Sequence, residues 1–197
     1  AYPMPNVAGA HSKPIPPGTH VKPVPAEFFI HHDVCVETRW EQMYGRGFLT
    51  PASLFYVRNH GPTPIIDATT WKLSIAGSGV ARPITIDYDQ LLKMPSMTLT
   101  CFIECAGNGR VFFDEYQGRV AKGRPWRFGS YGVAEWTGVP LRHILEMAGL
   151  RDTAVDVMPT GLDNAKVERP MSIAKALDGD TIVAYAMNGD ILPADHG

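Results

Sequence analysis

Charged side chains are scarce in this sequence: Asp, Glu, Lys and Arg make up 19% of its 197 residues, against about 25% in an average globular chain. We infer that part of the surface is covered by a cofactor, another domain or another subunit. The net charge of −2 lacks the positive excess that non-specific nucleic-acid binding requires. No apolar run approaches the roughly 18–20 residues of a membrane span. We therefore expect no nucleic-acid partner and no membrane span.

Cysteine is also rare, and several familiar motifs are missing. Three cysteines, Cys35, Cys101 and Cys105, are too few for a disulfide scaffold. The chain has no CxxC pair for zinc, no CxxCH for covalent haem, no GxSxG and no P-loop. Gly77-Ser-Gly79 lacks the third glycine of a dinucleotide fingerprint, so we interpret it as a hairpin turn.

Proline, in contrast, is concentrated at one end of the chain. Seven of the 17 prolines fall in the first 25 residues, where they prevent helix and ladder hydrogen bonds. Residues 1–26 are therefore predicted to form an extended, polyproline-like arm. This arm is either a flexible tail or a segment that lies on the domain surface. Residues 27–197, with their globular composition, form the predicted domain.

Hydrophobic alternation and turn residues predict an α+β fold with a mixed sheet, because strands and helices do not alternate strictly. Asp87 is a predicted N-cap, Gly149 a helix end, and Asn188-Gly189 a hairpin turn of the primed type. Met97–Cys105 is interpreted as a buried strand. The other predicted elements are strands at Phe55–Arg58, Trp71–Ile75, Pro83–Ile86, Ala154–Met158 and Thr181–Met187, and helices ending at Leu92, over Val139–Ala148 and over Ser172–Leu177.

Cys105 is the first candidate for chemistry. It ends a predicted strand, and a turn with two glycines and Arg110 follows it, so its thiolate would be stabilised there. The alternative is a small buried hydrophobic residue, the role we assign to Cys101. A zinc site from the two cysteines is not expected, because no second ligand pair has matching spacing.

Arg58-Asn59-His60 is the second candidate. It follows another predicted strand, and its donors suit an oxyanion or a phosphate. The alternative is a surface ion pair at Arg58 and a turn cap at His60. Asp114-Glu115 is interpreted as a solvated carboxylate pair, and His31-His32 points to no function.

Six segments in order resemble the sulfite oxidase family of molybdopterin-dependent oxidoreductases. Cys101 to Arg110 resembles the family's CAGN-x-R segment, and Phe55 to Pro64 resembles FVRNH-x-P-x-P. The other four segments are Lys122-Gly-Arg-Pro-Trp126, Gly132 to Leu141, Gly161-Leu-Asp163 and Asn188 to Gly197, which resemble KG-x-PW, G-x-A-x-W-x-G-V-P-L, GLD and NG-x-x-LP-x-DHG. The resemblance covers about residues 50–197.

The resemblance implies a molybdenum cofactor, Mo-molybdopterin, with Cys105 as the single protein thiolate on the metal. It also implies that Arg58 and Arg110 face an oxyanion substrate and that Trp126 forms a wall of the pocket. The cofactor-binding set that it implies consists of Tyr56, Val57, Arg58, Asn59, His60, Cys105, Asp163 and His196. Tyr56 stands where the family has phenylalanine, and Gly109-Arg110 where animal members have two arginines.

The implied function is the oxidation of sulfite to sulfate by oxygen-atom transfer, with electrons passed to a separate carrier such as a cytochrome. Two alternatives remain: the same cofactor acting on nitrate or another sulfur compound, or a cofactor-free fragment acting as a structural or interaction module. The family continues beyond the DHG segment with a small dimerisation domain, so we expect a fragment of a longer, homodimeric protein. Bacterial relatives are often exported, so we expect a periplasmic location, with the cytoplasm as the alternative.

Overall fold

The computed structural model describes residues 17–197 and has an α+β fold. Residues 1–16 of the predicted arm lie outside the described part. Within residues 17–197, no helix combines the length and apolarity needed to cross a membrane. The strands are β1 (Phe29–His32), β2 (Cys35–Thr38), β3 (Lys72–Ile75), β4 (Ile84–Asp87), β5 (Met97–Glu104), β6 (Tyr131–Pro140), β7 (Asp156–Val157), β8 (Met171–Ser172), β9 (Ile182–Met187) and β10 (Asp190–Ile191). The α-helices are α1 (Tyr88–Leu92), α2 (Val111–Gln117), α3 (Leu141–Met147) and α4 (Ile173–Ala176), and two 3₁₀ helices cover Trp40–Met43 and Ala52–Leu54.

The chain divides into two compact units. In the described chain, unit 1 contains residues 17–63 and 102–134, and unit 2 contains residues 64–101 and 135–197. Strands β5 and β6 each run from one unit into the other. The sequence did not predict this division.

Unit 1 is built on the antiparallel hairpin of β1 and β2, in which Phe29 pairs with Thr38. Phe29, Val36, Leu54 and Val57 form its buried cluster. Val57 joins the hairpin through a single antiparallel bridge, because its N–H and C=O each bond to Val36 at 2.9 Å. The strand predicted over Phe55–Arg58 is therefore wrong: only this bridge forms, since Pro51 starts a 3₁₀ turn and Arg58 already begins a loop.

Residues 17–26, the described end of the proline-rich arm, contain no helix or strand. They nevertheless lie on unit 1. The Thr63 N–H donates to Thr19 O at 2.8 Å, and Lys22 Nζ donates to Ala52 O at 3.0 Å and also to Phe55 O. These contacts agree with the surface-bound alternative for this part of the arm.

Unit 2 contains the best-predicted elements. Asp87 caps α1 with a complete capping box: its side chain accepts from the Gln90 N–H, and the Gln90 side chain accepts from the Asp87 N–H. Ile86, Leu91, Val139 and Ile144 form its buried cluster. The helix predicted from Val139 starts later, as α3 at Leu141, because β6 continues through Pro140.

A four-stranded sheet has the order β10-β9-β6-β5. The hairpin between β9 and β10 contains the predicted primed turn, with φ of 53° at Asn188 and 83° at Gly189. Strand β5 is confirmed in position, but the prediction that it is buried is wrong. It is an edge strand, and Cys101, Phe102 and Ile103 are exposed. An apolar run does not distinguish a central strand from an edge strand.

Candidate active site

Cys105 lies at the end of β5 in unit 1, and its side chain is half-buried. We call residues 105–111 the Cys105 loop and residues 126–130 the Trp126 loop. The backbones of the two loops are joined by three hydrogen bonds, Cys105 N to Ser130 O at 2.9 Å, Gly109 N to Arg127 O at 2.6 Å and Val111 N to Trp126 O at 3.1 Å. The thiol is therefore carried by a loop whose backbone is fixed by a neighbour rather than by one that is free.

Asn108 fastens the same two loops through its side chain. Its Oδ1 accepts from the N–H of Ser130 at 3.2 Å and from Ser130 Oγ at 2.7 Å. Its Nδ2 donates to Glu104 Oε1 at 2.8 Å. Ser130 is fully buried, so these bonds satisfy polar groups that water cannot reach. In the sequence, Asn108 stands out only as part of the CAGN-x-R segment, and nothing there indicates this role.

Arg110 lies on the Cys105 loop, and its guanidinium fills a space left by two glycines. A Cβ at Gly107 would come within 2.6 Å of Arg110 Cζ, and a Cβ at Gly123 within 2.9 Å. Nη1 donates to Arg124 O at 2.9 Å, which occupies one of the five donors of the guanidinium. Both glycines belong to recognised motifs, so the space for this cation is built from two separate segments.

Four aromatic rings are packed together in unit 1. Trp126 is 1% exposed, and its ring meets His32 edge-on at 5.0 Å and Tyr56 edge-on at 6.3 Å. Tyr56 in turn stacks on Phe55 at 5.5 Å. Because its indole is buried, Trp126 packs against Tyr56 and His32 from the interior of the unit and does not present its ring to solvent.

The Tyr56 hydroxyl is a feature that the family's phenylalanine would lack. Burial, with the nearby charges of Cys105 and Glu104, raises the pKa of Tyr56 to about 12. Arg58 acts in the opposite direction. The phenol therefore stays protonated well into the alkaline range and keeps its O–H as a donor there.

We expect this phenol to make stability fall at alkaline pH. In the unfolded chain Tyr56 loses its proton near pH 10, whereas the folded protein keeps it until about pH 12, so raising the pH across this window favours unfolding. Urea unfolding at pH 9 and pH 11 measures this in wild type and in Tyr56→Phe. Between pH 9 and pH 11, the free energy of unfolding should fall more in wild type than in Tyr56→Phe. A difference that does not change with pH would contradict the expectation.

Arg58, Asn59 and His60 follow the Val57 bridge, and Arg58 and His60 are exposed. Arg58 Nη1 lies 2.6 Å from Nδ1 and 2.9 Å from Nε2 of His60. The backbone of Asn59 is fixed by Cys35, whose Sγ donates to its carbonyl at 3.2 Å. Burial raises the pKa of the Cys35 thiol, so that thiol remains a donor. Arg58 thus contacts His60 at the surface of unit 1.

Glu37 is the main residue that the sequence analysis missed. It is 1% exposed, yet its carboxylate accepts from the N–H groups of Arg127 and Gly129 in the Trp126 loop. It also accepts from His32 Nε2 at 2.9 Å. Asp114-Glu115, by contrast, behaves partly as predicted: Glu115 is on the protein surface, but it pairs with Arg127.

The two remaining residues of the cofactor-binding set belong to unit 2. Asp163 is half-buried in a loop, where its Oδ1 accepts from the N–H of Lys166 at 3.1 Å. His196 is half-buried near the end of the chain, and its N–H donates to Pro193 O at 2.8 Å. Their side chains are thus placed by turns that close within a few residues.

Comparisons with known proteins identify the family. A profile of the oxidoreductase molybdopterin binding domain matches residues 60–197. The chain belongs to this family. It is 33% identical over 164 residues to mitochondrial sulfite oxidase of Rattus norvegicus, covering 79% of this chain and 30% of that protein. It is also 32% identical over 164 residues to NADH nitrate reductase of Ulva prolifera, covering 77% of this chain and 18% of that protein.

A solved structure shows the same likeness. The chain resembles the sulfane dehydrogenase SoxCD from Paracoccus pantotrophus with a TM-score of 0.71 and 27% identity, over 83% of this chain and 40% of that one. The molybdopterin-binding chain described here thus spans less than half the length of these relatives. The resemblance seen in the sequence motifs and the α+β fold are both confirmed.

The family's cofactor is the molybdenum cofactor, and the donor set of unit 1 suits it. Within residues 17–197 there is no group of three or more His, Cys, Asp or Glu side chains that could hold a metal ion. Cys105 offers one soft thiolate, which fits a metal that brings further sulfur ligands of its own. Arg58 and Arg110, two cations of the same unit, suit the negative charge of a phosphate-bearing cofactor. The residues present fit the group.

Proposed function

We propose that this molybdopterin-binding oxidoreductase oxidises sulfite to sulfate. The observation that carries the proposal is the half-buried Cys105 thiol on a loop fixed by the Trp126 loop, with Arg110 on the same loop. Overall, sulfite gains one oxygen from water, two electrons leave to an acceptor, and two protons are released. The bound cofactor supplies the oxygen-atom transfer that no side chain can perform.

The protein's own groups hold the metal and the substrate. Cys105 would ligate molybdenum through its thiolate, and Arg58 and Arg110 would bind the sulfite oxygens by charge-assisted hydrogen bonds. Trp126 excludes water behind the aromatic cluster and keeps Tyr56 in place. The cofactor itself would be held by Tyr56, Val57, Arg58, Asn59, His60, Cys105, Asp163 and His196.

The two electrons require an acceptor outside this chain. By the resemblance to the sulfite oxidase family, a separate carrier such as a cytochrome would collect them. A homodimeric full-length protein and an exported location complete the proposal. Both rest on the resemblance to the sulfite oxidase family.

A second candidate is the same cofactor acting on nitrate or on another sulfur compound. It is supported by the 32% identity to an NADH nitrate reductase and by the structural likeness to a sulfane dehydrogenase. Nitrate and sulfite are both small oxyanions, which two guanidinium groups can bind. The chemistry of the donors therefore does not distinguish these substrates.

Elemental analysis and two assays test the proposal. The protein is produced in a host that makes the molybdenum cofactor, and we expect about one molybdenum per chain with turnover of sulfite in the presence of an artificial electron acceptor. Turnover of nitrate without turnover of sulfite would favour the second candidate. A well-folded protein with neither molybdenum nor pterin fluorescence would refute both and favour the remaining alternative, a structural or interaction module.

A further inference from the structure

Glu37 is a buried carboxylate whose hydrogen bonds all come from fixed groups. Oε1 and Oε2 each lie 2.9 Å from the Arg127 N–H, Oε1 accepts from the Gly129 N–H at 3.0 Å, and Oε2 accepts from His32 Nε2 at 2.9 Å. Three donors at one buried carboxylate offset much of the cost of removing it from water. Because a carboxylate only accepts, His32 must carry its proton on Nε2.

The Trp126 loop lies so close to β2 that it leaves no space for a side chain at Gly129. A Cβ there would collide with the carbonyl oxygen of Thr38, and the Thr38 N–H donates to Gly129 O at 3.2 Å. Glu37 precedes Thr38 in β2, so the carboxylate and the backbone of one strand hold the same loop. This close approach ties the Trp126 loop to the core hairpin of unit 1.

The Trp126 loop, held in this way, is in turn hydrogen-bonded to the Cys105 loop. The N–H groups of Gly109 and Val111 donate to carbonyls of the Trp126 loop and not to Glu37. Ser130 adds a side-chain bond, because its Oγ donates to Asn108 Oδ1 at 2.7 Å. A shift of the Trp126 loop must therefore move the backbone that carries Cys105 and Arg110.

We propose that Glu37 is a positioning residue that fixes the Trp126 loop and, through it, the Cys105 loop with its metal-binding thiol and anion-binding arginine. The proposal deepens the proposed function and rests on it. Glu37 does not touch substrate or cofactor in this account. It acts by holding two loops, so that a displacement of one against the other would weaken the binding of the anion at Arg110.

Glu37→Gln tests this with little change in size. The amide removes the negative charge, so the bonds from Arg127 and Gly129 lose their charge assistance, and the bond with His32 must reverse or break. We expect hydrogen exchange to speed up by about tenfold at the amides of Arg127 and Gly129 and also at those of Gly109 and Val111. In protein that keeps its molybdenum, the KM for sulfite and the Kd for sulfate should each rise about tenfold, with a smaller change in kcat.

Glu115→Gln is the matched control. It makes the same chemical change at a surface carboxylate that binds the side chain of Arg127, and it should leave KM and exchange at Gly109 unchanged. Ser130→Ala is a milder second variant in case Glu37→Gln folds poorly. It cuts one bond between the loops, so it should shift exchange at Gly109 and KM in the same direction by a smaller factor.

The outcomes separate this inference from the proposed function. Faster exchange that reaches Gly109 and Val111 in Glu37→Gln supports positioning even in protein that lacks molybdenum. Exchange that changes only at Arg127 and Gly129, or a loaded variant with unchanged KM and Kd, would overturn it. Absence of molybdenum from the wild-type protein would instead refute the proposed function.

Discussion

Replacement of Cys105 by serine is expected to abolish turnover of the molybdenum-loaded protein. The half-buried thiol at the end of β5 is the one sulfur donor of its loop, and an alkoxide is a much harder ligand than a thiolate. We expect kcat to fall by about 10³-fold or more, the scale seen when a group acting at the reacting centre is removed. The measurement is steady-state oxidation of sulfite, together with thermal unfolding to show that the variant is folded.

Cys101→Ser is a well-matched control, because it makes the same substitution four residues upstream, in the strand that leads to Cys105. Cys101 is exposed, so the variant should keep wild-type turnover. Alkylation with iodoacetamide adds an independent reading: the loaded protein should react at Cys101 and be protected at Cys105. Full activity in Cys105→Ser, or equal alkylation of both thiols in loaded protein, is incompatible with a metal-bound Cys105.

Replacement of Arg110 by glutamine has the second-largest expected effect, and it should fall on substrate binding. A charge-assisted hydrogen bond contributes about 1.5–3 kcal/mol, so the KM for sulfite should rise by roughly 10- to 100-fold. The KM for sulfite, measured with the Kd for sulfate by calorimetry, tests this.

Two further substitutions distinguish a local contact from a general charge effect. Arg110→Lys keeps the charge but loses the planar fork, so its KM should lie between those of wild type and Arg110→Gln. Arg119→Gln removes one positive charge from an exposed position of the same unit and should leave KM close to wild type. Equal effects in Arg110→Gln and Arg119→Gln would show that only net charge matters.

Local sequence patterns predicted the elements whose stabilising contacts lie within a few residues of one another. The capping box of α1, the turn at Asn188-Gly189 and the end of α3 at Gly149 each depend on neighbours in sequence. The Val57 bridge does not, because its partner Val36 lies in a different element. The burial of β5 failed for a related reason: edge position depends on which strands pair, and residue types do not encode it.

The candidate site divides in the same way. Cys105 and Arg110 could be singled out because a strand end, glycines and a cation stand together in sequence, and motif order strengthened the assignment. Glu37 could not, because 90 residues separate it from Arg127 and nothing near it in sequence indicates a binding role. Its role depends on the tertiary structure, which places β2 against the Trp126 loop.

The space that holds the Arg110 guanidinium has an evolutionary consequence. Gly107 and Gly123 each lie so close to this side chain that neither can gain a methyl group while Arg110 keeps its place. The three positions are therefore constrained jointly, although they lie on two different segments. A lineage that shortened Arg110 would free Gly107 to vary, whereas Gly123 would stay constrained by its φ of 112°. A lineage that first acquired alanine at Gly107 would have to abandon this placement of the arginine.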